Sequence, residues 1–500
     1  MKSPVKAVAA AFILLSPMMA PFGVVAQNIN TASRKSENSM RRADAITIAV
    51  QPGMLGSVLS SALEKGEGSG VLRLTGTADV RDFRALAGNL PAYIVDIDLS
   101  DITIVAYTYP VGSAEGKGYY PADELPAWSF FTLPLESIAL PTTLKGLGEG
   151  ALSATRIRNL DIPQGVTYIG DYALYDSPEL ESVKFPASLK SLGKGALGKC
   201  ISLRGADFSS THLASVPELC FSGCTALESV RMPRLPYNVG GQAFRGTAVE
   251  HIDLSQAVSF DDYALYGMSA LEEVSLSPSA RFGKGVLMND SSLQNVEGIP
   301  MVLPALFAAG CSSLGLETVA TEAVEIGAWA LSGGHARNIT FTVADMLAEG
   351  ALADIVGLEE IDVRALGASL PATDENAFAG IDTGSVRLIV TDTAEDAWRQ
   401  HPVWGRFNII PDYMVGASVV SSNVDSSEIS AHFYGDTLHL SSNSSPLSSV
   451  SLYSPEGMLL ASEKLEGQQA DVHIPDYTGS YIVVVVKAGD EVKAMKIMIK

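Results

Sequence analysis

The sequence predicts a mainly β chain: a right-handed solenoid of short strands with short helical or irregular return segments, then a small antiparallel β-sandwich. Three observations predict it. A hydrophobic ladder restarts about every 22 residues, a second apolar register shares its period, and short alternating strands replace both near the C-terminus. The ladder has the form apolar-x-x-apolar-x-apolar. Its first position falls at Leu135, Ile157, Leu180, Leu203, Leu227, Val249, Leu271, Leu293, Leu316, Ala336 and Leu358. Its second falls at Ile138, Leu160, Val183, Ala206, Val230, Ile252, Val274, Val296, Val319, Ile339 and Ile361.

The second register is a small residue followed by a large one. It recurs at Ser129-Phe130, Ala151-Leu152, Ala173-Leu174, Ala196-Leu197, Cys220-Phe221, Ala243-Phe244, Ala264-Leu265, Val286-Leu287, Leu306-Phe307, Ala330-Leu331, Ala351-Leu352 and Ala377-Phe378. A small side chain suits the place where one coil lies close to the next, and its bulky neighbour fills the core between them. Gly148, Gly170, Gly193, Gly283 and Gly327 mark turns, where positive φ is expected. Pro141, Pro163, Pro186 and Pro233 end strands, because proline cannot donate to a ladder. A period in this range marks a leucine-rich-repeat solenoid, each coil giving one strand and one return.

The units resemble BspA-type leucine-rich repeats of bacterial surface proteins. The stretches Gly170-Asp-Tyr-Ala-Leu-Tyr-Asp-Ser-Pro-Glu-Leu180 and Cys220-Phe-Ser-Gly-Cys-Thr-Ala-Leu227 carry the likeness. It extends upstream through Pro52–Leu59, Leu72–Gly76 and Ile97–Ser100, and downstream through Val386–Val390, Trp398, Trp404 and Phe407–Ile409. The resemblance implies adhesion to, or binding of, host components.

The order along the chain follows. Residues 1–26 read as a signal peptide: Lys2 and Lys6, an apolar run from Ala7 to Leu15, then Val24-Val25-Ala26. Pro17 and Pro21 interrupt that run, and no other apolar stretch is long enough to span a bilayer, so no transmembrane segment is expected in the mature chain. Residues 27–44 read as a disordered leader, 45–134 as a capping module with the first repeats, and 135–412 as the solenoid with its closing unit. Residues 413–430 form a Ser-rich linker, and 431–500 a β-sandwich with strands around Thr437–Leu440, Val450–Tyr453, Asp471–Ile474, Tyr481–Val486 and Met495–Ile499. Pro455-Glu-Gly-Met-Leu459 and Gly479-Ser-Tyr-Ile-Val-Val484 resemble the sorting domain of type IX secretion, although Ser480 stands where that family usually has Val. The resemblance implies secretion machinery as a partner of residues 431–500 and a destination outside, or on the outer surface of, a Gram-negative cell.

Formal net charge is −22, which disfavours nucleic acid as a partner. Residues between the ladder positions are expected on the solvent side of the strands. Their first column includes Glu136, Glu181, Glu228, Glu250, Glu272, Glu317 and Glu359 among Arg158, Arg204 and Arg337. One reading is a solvated face that keeps a long solenoid soluble; the sharper one is an acidic strip that engages a basic segment of a partner protein. Tyr107, Tyr109, Tyr119 and Tyr120 flank a Gly-rich insertion near the start of the solenoid. That loop either carries binding residues or lays its rings over the first coil.

Chemistry-bearing motifs are sparse. No G-x-S-x-G, H-E-x-x-H or Walker sequence occurs, and the seven His are dispersed with no i, i+4 pair. No catalytic residue, cofactor or metal ligand set is assigned. Cys200, Cys224 and Cys311 share one repeat column, where thiols serve as small core groups. Cys200 and Cys224 lie in consecutive coils, so a disulfide between them is also geometrically possible. Two functions remain open: adhesion to extracellular or host-surface proteins, or an envelope scaffold that captures peptides or glycans.

Overall fold

A computed structural model describes residues 45–65, 69–111, 113, 118–412, 429–434, 437–443, 445–454, 458–473, 481–489 and 491–498. The signal peptide, the leader, most of the Tyr-flanked insertion and the linker as far as residue 428 lie outside the described residues. The chain divides into two compact units, Met1–Gly315 with Ile326–Gly334, and Leu316–Glu325 with His335–Lys500.

In the first unit the ladder of strands starts before the repeats do. Ile46–Val50 pairs in parallel with Val71–Ala78, which pairs with Asp96–Ile104, which pairs with Ser137–Ala139. Parallel neighbours need crossover returns. Here these are the helix Leu55–Lys65 and the helix Val80–Asn89. The second opens with a capping box: Asp79 accepts from the Arg81 amide at 2.9 Å, and Asp82 accepts from the Asp79 amide at 2.9 Å. Asp82 also accepts from the Gly53 and Leu55 amides, at 2.8 and 2.9 Å, and so ties the starts of the two helices together.

From there each coil supplies two short parallel strands, which corrects the expectation of one strand and an irregular return. The front strands carry the ladder. Leu160 pairs with Val183, Ala206 with Val230, and Val274 lies between Ile252 and Val296. The back strands include Gly146–Leu147, Tyr168–Ile169 and Ser191–Leu192, then Tyr237–Val239, Ala257–Phe260 and Arg281–Phe282, each paired in parallel one coil on. Two-residue back strands leave almost no period-2 signal, so the sequence pattern does not show them. Pro141, Pro163 and Pro186 follow the front strands as expected. Their carbonyls accept from the amides of Leu144, Val166 and Leu189 at 3.0–3.1 Å.

The turn after each back strand holds two left-handed residues four apart, such as Tyr172 and Asp176, Gly195 and Lys199, or Tyr263 and Gly267. The small–large pair sits between them, and both members are buried from Ala151-Leu152 to Val286-Leu287. One coil inverts the sizes. Leu287 donates to Phe307 at 2.8 Å just as Leu265 donates to Val286 at 3.0 Å, so Phe307 occupies the small place and Ala308 the large one. The expected pair Leu306-Phe307 is therefore one residue early, and Leu306 itself has a φ of 62°.

The turn glycines are needed for a different reason from the one expected. Gly148, Gly170, Gly193, Gly283 and Gly327 are not left-handed. They lie against the backbone of the preceding coil: a Cβ on Gly193 would come 2.3 Å from the Asp171 nitrogen, and one on Gly283 2.6 Å from the Asp262 nitrogen. Absence of a side chain lets the coils close up.

The four cysteines are free and buried. Cys200, Cys224 and Cys311 donate to the carbonyls of Leu174, Leu197 and Leu287 in the preceding coils, at 3.1, 3.0 and 2.8 Å. Ser177 makes the equivalent bond to Leu152 at 3.3 Å. Asp290 stands in this same column. It is fully buried, its Oδ1 accepts from the Met268 amide at 2.7 Å, and its Oδ2 has no partner. Burial pushes its carboxyl pKa well above the usual carboxylate range.

The second unit begins with a correction. The ladder places Leu316, Val319 and Thr321 on a strand, but Leu316–Glu322 is a helix. The buried set Leu316, Val319, Ala320 and Ala323 has spacing i, i+3, i+4, i+7, and the ladder form is ambiguous with that period until Ala320 and Ala323 are counted. Strands Asn338–Thr340, Glu360–Asp362, Arg387–Val390 and Asn408–Pro411 then pair in parallel, and Met346–Leu347 pairs with Ala372–Thr373. Leu358 is only half-buried. Trp404 packs on Trp398, Phe378 and Phe407 at centroid distances of 5.3, 5.0 and 5.5 Å. Both indole nitrogens are satisfied, Trp398 by the Gly367 carbonyl and Trp404 by Thr373 Oγ1, each at 2.8 Å.

After residue 428 the strands are antiparallel. One sheet contains Ile429–Tyr434, Thr437–Ser442 and Gln469–His473; the other contains Leu459–Lys464, Leu447–Tyr453, Tyr481–Ala488 and Glu491–Met498. Leu438, Leu440 and Val472 of the first share a core with Val450, Leu452, Ile482, Val484 and Val486 of the second.

Candidate interaction surface

Most front strands alternate between core and solvent. In Asn159–Asp161, Ser182–Lys184 and Asn295–Glu297 the middle residue is buried and its neighbours are exposed. The column just before each strand is also largely outside. Glu181, Glu228, Glu250 and Glu359 are exposed, Glu136 and Glu272 half-buried. Glu317 is exposed too, but it lies in the first turn of the helix Leu316–Glu322 and not beside a strand, which removes it from the expected strip.

Much of the acid on this face is matched one coil away. Arg156 and Arg158 share Glu179 at 2.7 and 2.9 Å, and Arg158 lies 3.9 Å from Glu181. Lys184 reaches Asp161 at 2.9 Å and Arg231 reaches Asp207 at 3.8 Å. In the second unit Arg337 pairs with Glu359 and Arg387 with Glu360, both at 2.9 Å. Exposed pairs of this kind contribute about 0–1 kcal/mol each, so their effect is on the surface potential more than on stability. Reading the charge columns at an offset of one repeat would have shown them in the sequence.

The matching stops toward the end of the first unit. Ladder segments 249–255, 271–277 and 293–299 contain Glu250, Asp253, Glu272, Glu273 and Glu297 and no Lys or Arg. His251 lies 3.4 Å from Glu273, Ser275 donates to Glu297 at 2.8 Å, and Asp253 accepts from the Ser255 amide at 2.9 Å. The acidic strip is thus a local feature of three coils.

Three of the four tyrosines pack against arginines of the helix Val80–Asn89. Tyr107–Thr108 and Tyr119–Tyr120 form a hairpin beside the helix Val80–Asn89. Arg81 lies 4.2 Å from the Tyr107 ring, Arg84 lies 4.8 Å from the Tyr109 ring, and Arg84 donates to Tyr120 Oη at 3.2 Å. Tyr109 is buried and stacks edge-on with Tyr107 and Tyr120. Tyr119 is the one of the four that stays largely exposed, at 65%.

On the back strands the Tyr168 ring lies across Gly146 and its hydroxyl donates to Glu124, so three coils are tied by one side chain. Burial raises the pKa of both groups. Among the described residues no group of three His, Cys, Asp or Glu gathers at metal-binding distance. Nor is any described helix long and apolar enough to cross a membrane.

The fold and this face define a leucine-rich-repeat architecture, and comparison with known proteins agrees. Residues 122–213 and 208–302 match the BspA type Leucine rich repeat region, in six copies. A leucine-rich repeat protein from Bacteroides ovatus has 22% identity and a TM-score of 0.50, covering 67% of this chain and 83% of its own. That likeness shows a shared fold. A leucine rich cell surface protein from Faecalibacterium prausnitzii has 18% identity and a TM-score of 0.25, over 58% of this chain and 89% of its own. The pneumococcal vaccine antigen PcpA has 12% identity and a TM-score of 0.30, over 73% and 82%. No curated protein matches.

Proposed function

We propose that this chain is an exported, non-catalytic protein of the cell surface that binds other proteins through its front strands. The observation that carries the reading is the contrast between coils whose acids face Lys or Arg and the three ladder segments from 249 to 299, which contain five acids and no Lys or Arg. An acid left unmatched beside a ladder of exposed polar side chains attracts a basic segment, and its potential raises the encounter rate. The signal-like residues 1–26 and the resemblance of residues 431–500 to a sorting domain support export, with the secretion machinery as a second partner. The BspA-type match supports a protein-binding or surface role, and on this reading the ligands are extracellular or host-surface proteins.

The test is capture of surface proteins by the mature chain and by a Glu250→Gln, Glu272→Gln, Glu273→Gln variant, at low and high salt. The reading expects salt-sensitive capture by the first and a loss of about tenfold or more in the second. Equal capture by both would remove the acidic coils from the binding face.

A further inference from the structure

The turns after the back strands carry aromatic rings in a regular arrangement. Their first left-handed residue is, coil by coil, Trp128, Gly150, Tyr172 and Gly195, with φ of 60°, 57°, 54° and 60°. These turns are joined from coil to coil. The Trp128 amide donates to the Glu149 carbonyl at 2.8 Å, Gly150 to Asp171 at 2.9 Å and Tyr172 to Lys194 at 2.8 Å. Glycine holds such a φ freely, whereas a bulky aromatic residue there carries strain that a local gain must offset. Packing supplies part of the gain. The Trp128 ring lies across Gly150 and the Tyr172 ring across Gly195, where a Cβ would collide with the ring. Each ring also meets a second one three residues on, edge to face: Trp128 with Phe131 at 5.2 Å, Tyr172 with Tyr175 at 5.5 Å.

Packing alone would bury these rings, as it does in a later coil. Tyr263 and Tyr266 repeat the arrangement over Gly285, with centroids 6.0 Å apart, and both are buried. Trp128 and Phe131 instead stay 36% and 40% exposed, and Tyr172 and Tyr175 are half-buried. The two open pairs stand two coils apart, about 9.5 Å at the usual spacing of parallel strands, with a glycine in the coil between them. Exposed Glu149 and Asp171 flank them, and the Lys199 ammonium lies 5.3 Å from the Tyr175 ring. Glycine seats fix the rings in place, so little side-chain freedom is lost when a ligand lands on them.

We propose that this edge of the solenoid binds an extended, uncharged glycan of β-linked pyranose units, one sugar against the Trp128–Phe131 pair and another against Tyr172–Tyr175. A pyranose with equatorial substituents presents a flat C–H face to an aromatic ring and hydroxyls to its rim. The rim here offers both kinds of partner, acceptors in Glu149 and Asp171 and a donor in Lys199. Two units of an extended β-linked chain advance by about the two-coil interval, so both platforms engage one ligand. Separate rings with polar side chains between them suit such an alternating ligand better than a protein, whose anchors fill contiguous desolvated pockets. The two acids likewise repel an anionic membrane surface.

The experiment titrates the mature chain with cellohexaose by isothermal calorimetry at low and high salt. The variants are Trp128→Gly and Tyr172→Gly, chosen because glycine already fills this place in the neighbouring coils, with circular dichroism to confirm that each folds. The proposal expects binding that salt does not change. Each variant should weaken it about tenfold, the effect of losing one stacked ring. The Glu250→Gln, Glu272→Gln, Glu273→Gln variant should bind cellohexaose at full strength, so this site and the front-strand site stand or fall separately. No binding of cellohexaose at millimolar concentration would overturn the proposal, as would full-strength binding by both glycine variants. Tighter binding of the α-linked maltohexaose would overturn the choice of an extended β-linked chain. Capture of surface proteins that is lost in Trp128→Gly, with no binding of cellohexaose, would make this edge a protein contact and overturn the glycan.

Discussion

Replacing Asp290 by Cys should stabilise the first unit, and by more as pH rises. Three cysteines and one serine of this column donate to a carbonyl of the coil before them, so the column presents an acceptor where Asp290 points. An ionised carboxylate cannot donate. The folded chain therefore holds Asp290 neutral, with its backbone partner Met268 on one oxygen and the Cys311 thiol, whose pKa is raised by burial, as the titratable neighbour. The unfolded chain ionises Asp near its ordinary pKa of about 3.9. Above that value the unfolded state binds fewer protons than the folded one, so stability falls with rising pH until the raised folded pKa is reached. The slope is about 1.4 kcal/mol per pH unit. The Asp290→Cys variant would keep a donor at this place in the column and carry no such slope below the thiol range. The assay is urea unfolding followed by circular dichroism at pH 4.5, 6.0 and 7.5. The expected gap between variant and parent widens by about 1–2 kcal/mol per step. A gap that stays constant across the three pH values would refute the reasoning.

Other outcomes follow from the same packing. Gly193→Ala should cost well over ~1 kcal/mol because its Cβ meets the Asp171 backbone, whereas Gly246→Ala, left-handed at φ 69° but facing open space, should cost about 1 kcal/mol; thermal melts that rank them the other way would reject the account of the turn glycines. Ile252→Asp buries a carboxylate and should cost several kcal/mol, while Glu250→Ser should stay within about 0.5 kcal/mol; equal melting shifts would mean the register is wrong. Deleting residues 431–500 should leave the repeats folded and block surface display; full-length levels of surface labelling in the truncated protein would remove the sorting role.

The period and the inward positions were readable because most front strands alternate between core and solvent. Leu160, Val183 and Val274 show it directly. What escaped was encoded in relations between coils. The back strands are too short to alternate. The helix Leu316–Glu322 shares its first apolar positions with the ladder, and only Ala320 and Ala323 separate the two. Gly193 and Gly195 look alike in sequence, yet one is needed for space and the other for positive φ. The candidate face was partly readable: most of the column flanks front strands, Glu317 lies in a helix, and the pairing with Arg158, Lys184 and Arg231 emerges only when columns are compared one repeat apart.

The central claim is that the front strands of the three acidic coils are where a partner protein docks. Hydrogen exchange of the mature chain, alone and with a captured partner, tests it most directly. The account predicts new protection in His251–Leu254, Glu273–Leu276 and Asn295–Glu297 that disappears in high salt, with the back strands Ala257–Phe260 and Arg281–Phe282 unchanged. Protection confined to the back strands, or the same in low and high salt, would contradict it.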